Sequence, residues 1–271
     1  MLCLICLLFS LIITILINYN SFSNIPLMIV EAIGFFLLGL ILSILIIEII
    51  ASFCNRKGKK VITPKRFFHF FTISYCKIVC FIFGMKIIIK GKENIDYNKN
   101  YLFVSNHQSN FDPLVLIKAF PKLRLTFIMK QELMKVKILG NYLNAAGFYS
   151  LDRNNNREGL KTILTVIDAC KYRSIGVFPE GTRSLDGNLL PFRDGIFKVA
   201  HKSDVDIIIC AIDNTKSIKK RFPFRRTKVI INVCGVINNE EAKKMTTVEI
   251  GEKASLMIKD ARINNKKEFN L

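Results

Sequence analysis

The sequence predicts an α/β domain carried behind an N-terminal hairpin of membrane helices, and three observations support this. Residues 1–55 contain no Lys or Arg and only two acids, Glu31 and Glu48, so all 40 basic residues follow them. From Met85 onward, short apolar runs alternate with amphipathic stretches, the pattern of strands and helices in turn. The polar, chemically equipped segments fall where the apolar runs end, which is where open α/β sheets usually place ligands.

Leu2 to Ile17 is apolar apart from Ser10 and Thr14, slightly short of the roughly 20 residues of a full span. Leu27 to Ile47 is the better span, with one acid, Glu31, near its start. The polar, neutral stretch Asn18 to Asn24 between them suits a tight helical connection. Arg56-Lys57-Gly58-Lys59-Lys60 and then Lys65-Arg66 follow the second run, and the positive-inside rule puts this end, with the domain behind it, in the cytoplasm. A signal peptide is the competing reading of residues 1–20, but the basic leading region and the small-residue cleavage site are missing. Phe67 to Phe83 is apolar and aromatic but interrupted by His69 and Lys77. It reads as an interfacial amphipathic helix, with a helix buried in the domain core as the alternative. The expected domains are therefore a helical hairpin over 1–55, a basic linker and interfacial helix over 56–84, and a catalytic domain over 85–271.

Five of the eight cysteines lie in or beside the apolar leader, and no zinc-type spacing occurs, so small buried residues with reduced thiols are expected. A formal charge of +19, all of it in the domain and linker, points to anionic partners such as a membrane surface, phosphorylated substrates or an acidic carrier protein.

Lys86 to Lys90, Tyr101 to Ser105, Leu125 to Met129, Ser174 to Phe178, Asp206 to Ile212 and Thr227 to Val233 read as strands. Leu160, Ile163, Leu164, Ile167 and Cys170 recur at helical spacing. Asp194 to Lys202 and Val248 to Ala261 also read as helices, and the asparagine-rich stretches 154–156 and 238–239 as loops.

Two segments carry chemistry. His107 and Asp112 lie five residues apart where the run Tyr101 to Ser105 gives way to a loop and then Pro113. An imidazole with a carboxylate about one helical turn away is a general base with its orienting partner. The bland alternative is that Asp112 only caps a helix opened by Pro113. No serine or cysteine nucleophile adjoins the pair, so direct attack by a substrate hydroxyl is the simpler chemistry. The second segment is Phe178-Pro179-Glu180-Gly181-Thr182-Arg183-Ser184. Gly181 lets backbone amides approach a ligand, and Arg183 has the fork geometry that suits phosphate. A surface turn closed by a Glu180–Arg183 contact is the alternative.

His107 and Asp112 match the H-x4-D motif of the glycerolipid acyltransferases, and residues 178–184 match their F-P-E-G-T-R-S block. Gly147 to Arg153 resembles the family's intermediate block, and Lys130-Gln131-Glu132-Leu133 is similar to the K-x-E-L segment of the lysophosphatidic acid acyltransferases. Phe192 to Ala200, with Gly195 and Lys198, resembles the segment after the E-G-T-R block. The resemblance to the lysophosphatidic acid (1-acyl-sn-glycerol-3-phosphate) acyltransferase family spans roughly residues 85–260. One departure concerns the fourth block, normally a proline-containing apolar strand: Val205 to Cys210 keeps the strand without proline, which puts donor preference in doubt.

The resemblance implies a mixed, mostly parallel sheet flanked by helices. It also implies acyl transfer from a thioester, acyl-CoA or acyl carrier protein, to the sn-2 hydroxyl of lysophosphatidic acid. In that reading His107 takes the acceptor proton and Asp112 orients it. Lys130, Arg153, Arg183 and Thr182 hold the phosphate, while Glu180 and Gly181 position the acceptor. No metal or redox cofactor is implied. The basic and aromatic run Lys219 to Arg226 admits anionic lipid, an acyl carrier protein or a solvated loop as partners. Nucleic acid is not expected on a membrane-anchored chain. Competing functions are the same chemistry on another lysophospholipid or lyso-aminolipid and, from a different class, a tethered basic binding protein for which His107 is dispensable.

Overall fold

The computed structural model describes residues 2–19, 24–54, 61–63, 65–136, 139–151, 156–184 and 186–269, without the side chains of Cys3 and Asn156. The basic run 56–60, the centre of the first connector, the loop positions 154 and 155, and Arg153 lie outside the described residues.

Seven strands form one sheet: β1 (Met85–Lys90), β2 (Tyr101–Ser105), β3 (Thr126–Lys130), β4 (Tyr149–Leu151), β5 (Ile175–Val177), β6 (Asp206–Asp213) and β7 (Thr227–Ile237). Their spatial order is β1-β7-β6-β2-β5-β3-β4. Only β6 and β7 pair antiparallel, and every other neighbour is parallel. The mixed, mostly parallel sheet is as expected. A sheet buried on both faces needs apolar residues at consecutive positions, and β2 supplies them. Tyr101 and Phe103 enter the core on one face, while Leu102 and Val104 enter the core on the other. The helices are α1 (Leu2–Ile17), α2 (Ile25–Cys54), α3 (Arg66–Ile82), α4 (Asp112–Ala119), α5 (Gln131–Met134), α6 (Gly140–Ala145), α7 (Asn156–Cys170), α8 (Lys198–Ser203), α9 (Ser217–Arg221), α10 (Asn239–Lys244) and α11 (Thr247–Phe269).

Sequence and structure differ in places. The strand β4 has only three residues and was not anticipated, and β7 runs four residues past Val233. The helix expected over Asp194 to Lys202 begins as a 3-10 turn, Asp194–Phe197, before α8. Asn239, expected in a loop, opens α10.

The two N-terminal helices form an antiparallel hairpin. Asn18 Nδ2 donates to Glu31 Oε2 at 2.7 Å beside the connector, and Cys6 lies within van der Waals distance of the Gly39 position further along. Among the described helices α2 is long and apolar enough to cross a bilayer, whereas α1 is shorter. At 1.5 Å per residue α2 is about 45 Å long, more than a hydrocarbon core of about 30 Å needs. Its C-terminal part docks on the domain. Ser43 Oγ and Tyr75 Oη of α3 are 3.1 Å apart, and the buried Glu48 accepts the backbone N–H groups of Asn141 (3.2 Å) and Tyr142 (2.9 Å). Those amides open α6, so a carboxylate from α2 caps another helix at its electropositive end.

In α3 the positions Phe68, Thr72, Cys76 and Cys80 recur every four residues and are buried, while Phe67, Phe81 and Ile82 are exposed. The helix is thus amphipathic and packed on the core along one stripe, with Thr72 Oγ1 and Tyr142 Oη 2.7 Å apart.

Glu48→Ala is expected to remove this cap at a cost of about 1–2 kcal/mol, seen as a fall of roughly 2–8 °C in the apparent Tm of the full chain in detergent. Glu48→Gln, which keeps an acceptor oxygen, should lose less.

Candidate active site

The sheet places the chemistry. Parallel pairing sets the C-terminal ends of β2, β5 and β6 side by side: Val104 is in register with Val177 and Ile209, and Ser105 with Cys210. Residues 106–112, 178–184 and 213–215 therefore emerge together. Asn106 extends the β2–β6 ladder with its side chain, donating through Nδ2 to Ile212 O (3.0 Å) and accepting from Ile212 N at Oδ1 (2.8 Å). That two-point bond fixes the direction in which the chain leaves β2.

His107 is next. Its Nδ1 lies 2.8 Å from Asp112 Oδ2, and its ring stacks on Phe178 with centroids 4.2 Å apart and planes inclined by 13°. Phe178 in turn stacks on Phe127 of β3 at 5.1 Å. Asp112 is fully buried as the first residue of α4, with Pro113 second, yet it makes no capping bond to its own helix. Its Oδ2 turns back to accept Gln108 N (2.6 Å) and Ser109 N (2.7 Å), and Oδ1 accepts the hydroxyl of Thr215 beyond β6. A carboxylate held by so many donors is a fixed partner for the imidazole. With Nδ1–H donating to it, the tautomer is set and Nε2 is the nitrogen left free for chemistry.

The backbone of His107 is gripped from the other segment. Glu180 Oε1 accepts His107 N at 2.6 Å, and Ser184 N donates to His107 O at 2.9 Å. Glu180 Oε2 also accepts Leu190 N at 2.9 Å. Glu180 is buried, and desolvation pushes its carboxyl above the ordinary range despite the two amides that oppose it. It is the strut between three loops and does not pair with Arg183, which is exposed.

Gly181 has φ +70°, and a Cβ there would come within 2.9 Å of Arg193 Nε. Its own amide is committed to Phe178 O at 2.9 Å. Arg193 is a site residue that sequence reasoning missed. Its backbone N–H donates to Pro179 O at 2.9 Å, which lays its side chain over Gly181. Behind the loop, the buried pair Arg262–Asp213 (2.8 Å) is completed by Asn265 (3.0 Å), and Arg262 also reaches Gly187 O at 2.7 Å. No sequence pattern pointed to α11 as a support for this loop.

His107 opens onto a cavity of about 1380 Å³. One part of its wall is apolar and comes from α2 and α3, including Ile44, Ile47 and Val79. Another carries Lys130, Thr182, Arg183, Arg193 and Lys198, against a single acid among the described lining residues, Glu132. Among the described residues none of these four cations pairs with a carboxylate. His107, Lys130, Gly181, Thr182 and Arg183 are thus brought to one cavity, and Asp112 and Glu180 lie buried behind it.

A model of the family described as Acyltransferase matches residues 86–213. The 1-acyl-sn-glycerol-3-phosphate acyltransferase of Saccharomyces cerevisiae is 30% identical over 232 residues, 82% of this chain and 72% of its own length. The chain belongs to that acyltransferase family. The Escherichia coli relative of the same name is 31% identical over 138 residues, 50% of this chain and 56% of its own. The crystal structure of the 1-acyl-sn-glycerophosphate acyltransferase of Thermotoga maritima superposes with a TM-score of 0.54 at 25% identity, covering 70% of this chain and 79% of that one. As a member of the family the protein is an enzyme of acyl transfer.

Gly181→Ala forces a side chain into the left-handed region and displaces Arg193, a strain of about 1–2 kcal/mol. Acyl transfer is expected to fall about tenfold with the apparent Tm within a few degrees of wild type. Steady-state assay and thermal unfolding of the same preparation check it.

Proposed function

We propose that the enzyme transfers an acyl chain from a thioester to the sn-2 hydroxyl of lysophosphatidic acid, giving phosphatidic acid, with His107 as general base. The observation that carries this reading is the cavity itself, where the free edge of an oriented imidazole meets an apolar wall and four cations that are unpaired among the described residues. The acceptor hydroxyl loses its proton to His107 Nε2 as its oxygen attacks the thioester carbonyl. Asp112 Oδ2 receives the Nδ1–H bond and stabilises the imidazolium that forms. Collapse of the tetrahedral intermediate breaks the C–S bond, and the imidazolium returns the proton to the departing thiolate.

The acceptor phosphate is assigned to Lys130, Arg183 and Thr182, as expected from sequence together with Arg153, and we add Arg193. Unpaired guanidinium and ammonium groups in one cavity favour a phosphate over a neutral headgroup. The names of the yeast and bacterial relatives support the acceptor. Glu180 and Gly181 act on the acceptor by fixing the loop that bears Thr182 and Arg183. The donor is acyl-CoA or acyl carrier protein.

The reading extends to location. α2 spans the bilayer with α1 beside it, and the basic run after α2 holds the catalytic domain on the cytoplasmic side. Exposed Phe81 and Ile82 of α3, and Phe224 beside Arg225 and Arg226, support a second contact with anionic headgroups. The acyl chain then reaches His107 from the bilayer side, past Ile44 and Ile47.

Purified full chain in vesicles should convert lysophosphatidic acid to phosphatidic acid, and His107→Ala should reduce the rate by about 10²–10⁴. A wild type inactive with both donors but active on another lysolipid would replace the acceptor and keep the mechanism. Arg183→Ala is expected to raise KM for lysophosphatidic acid about tenfold or more, the loss of a charge-assisted contact of roughly 1.5–3 kcal/mol, with a smaller effect on kcat. An unchanged KM would remove Arg183 from the phosphate site.

A further inference from the structure

A second recess lies at the opposite ends of the parallel strands. Arg124 precedes β3 and Arg173 precedes β5, both at N-terminal strand ends, whereas His107 follows the C-terminal end of β2 in the same parallel set. Together with Arg66 and His69 of α3, Thr63 and Tyr172, they line a cavity of about 150 Å³. That is room for about five waters, enough for a phosphate group with some water and too small for an acyl chain.

Three guanidiniums and an imidazole share this recess, and among the described residues no acidic side chain lines it. Arg66 and Arg124 make no side-chain hydrogen bond or ion pair among the described residues. Arg173 is only 3% exposed. Its Nη1 donates to Ala146 O (3.1 Å) and Nη2 to Ile62 O (3.3 Å), while its buried Nε has no partner. Burial lowers the Arg173 guanidinium to about 10, against an upward pull from Tyr149, with the neighbouring Arg124 adding a smaller downward push. His69 is lowered chiefly by burial and further by Arg124 and Arg173, against a bond from its Nε2 to Pro121 O at 3.0 Å. With Nε2–H donating to that carbonyl, Nδ1 is left to take a proton and turn donor. A buried guanidinium with an unmet donor beside like charges raises the energy of the fold unless an anion joins it.

The recess is also built. Gly147 has φ +78°, and a Cβ there would lie 2.0 Å from Arg173 Nη1, so only glycine lets the guanidinium in. Tyr149 Oη donates to Val61 O (2.9 Å) as Arg173 does to Ile62 O, pinning the linker across the recess. Thr63 is nine residues past the end of α2, at most about 30 Å of extended chain.

We propose that Arg66, Arg124, Arg173 and His69 form a phosphate-binding site separate from the catalytic cavity, occupied by a phosphate group from a lipid headgroup or from solution. The site ties the start of α3, the linker and the two strand ends to one anion. It does not depend on the acceptor assigned to the catalytic cavity.

The chain has three histidines, His69, His107 and His201, so ring resonances of histidine-labelled full chain in detergent micelles report on each place separately. His69→Gln assigns the signal. Inorganic phosphate is titrated in one arm and short-chain phosphatidic acid, against phosphatidylcholine, in the other, with chloride at matched ionic strength as control. Saturable movement of the His69 signal, with its titration midpoint moved upward, is expected in at least one arm. Movement with phosphatidic acid alone assigns a headgroup, and movement with both admits the free ion. Arg66→Gln with Arg124→Asn, both exposed positions, should weaken the response at least tenfold with the His201 signal unchanged. Insensitivity of His69 to both phosphates, or an undiminished response in the double variant, overturns the proposal.

Discussion

The structure turns on how the backbone of His107 is held. A carboxylate from one loop accepts its N–H and an amide from the same loop donates to its C=O. A flexible strand end is thereby clamped at both peptide groups by residues more than seventy positions away. Breaking either bond leaves a partly buried polar group unmatched, which costs more than the bond itself is worth. The side chain inherits that rigidity, because the ring is then positioned by Asp112 at one edge and Phe178 on one face. Glu180 is thus better understood through the amides that it holds than through any charge that it presents to solvent.

Around this clamp the chain separates its duties by strand end. Residues at the C-terminal ends of β2, β3 and β5 meet the larger cavity, and residues at the N-terminal ends of β3 and β5 meet the smaller cationic recess. The same sheet therefore presents concentrated positive charge at both ends of its parallel strands, with apolar cores on both faces between them. Of the cations that line these two cavities only Arg173 is buried, and there low dielectric makes an absent counter-ion expensive.

Much of this was legible in the sequence. Consecutive apolar residues in β2 and β6 identify strands buried on both faces, and His107, Asp112 and residues 178–184 announce themselves by type and spacing. What stayed hidden depends on pairing across the sheet. Asp112 beside Pro113 has the local signature of a helix cap, and only the fold supplies the donors, Gln108 N, Ser109 N and Thr215, that turn it the other way. Arg193 reads as one surface cation among many until Pro179 O draws its backbone over Gly181. The strand β4 is too short to show a period, and Arg173 gains its meaning from Gly147, twenty-six positions earlier.

In the proposed placement one helix joins the bilayer to the chemistry. α2 forms part of the cavity wall through Ile44 and Ile47 and caps α6 through Glu48, one residue later. With α2 in the membrane as proposed, its tilt follows the thickness of the surrounding hydrocarbon. A thinner or thicker bilayer then swings a lever whose far end is the wall of the acyl cavity. Lipid composition, itself altered by such an enzyme, would thereby act mechanically on the shape of the space that receives the substrate.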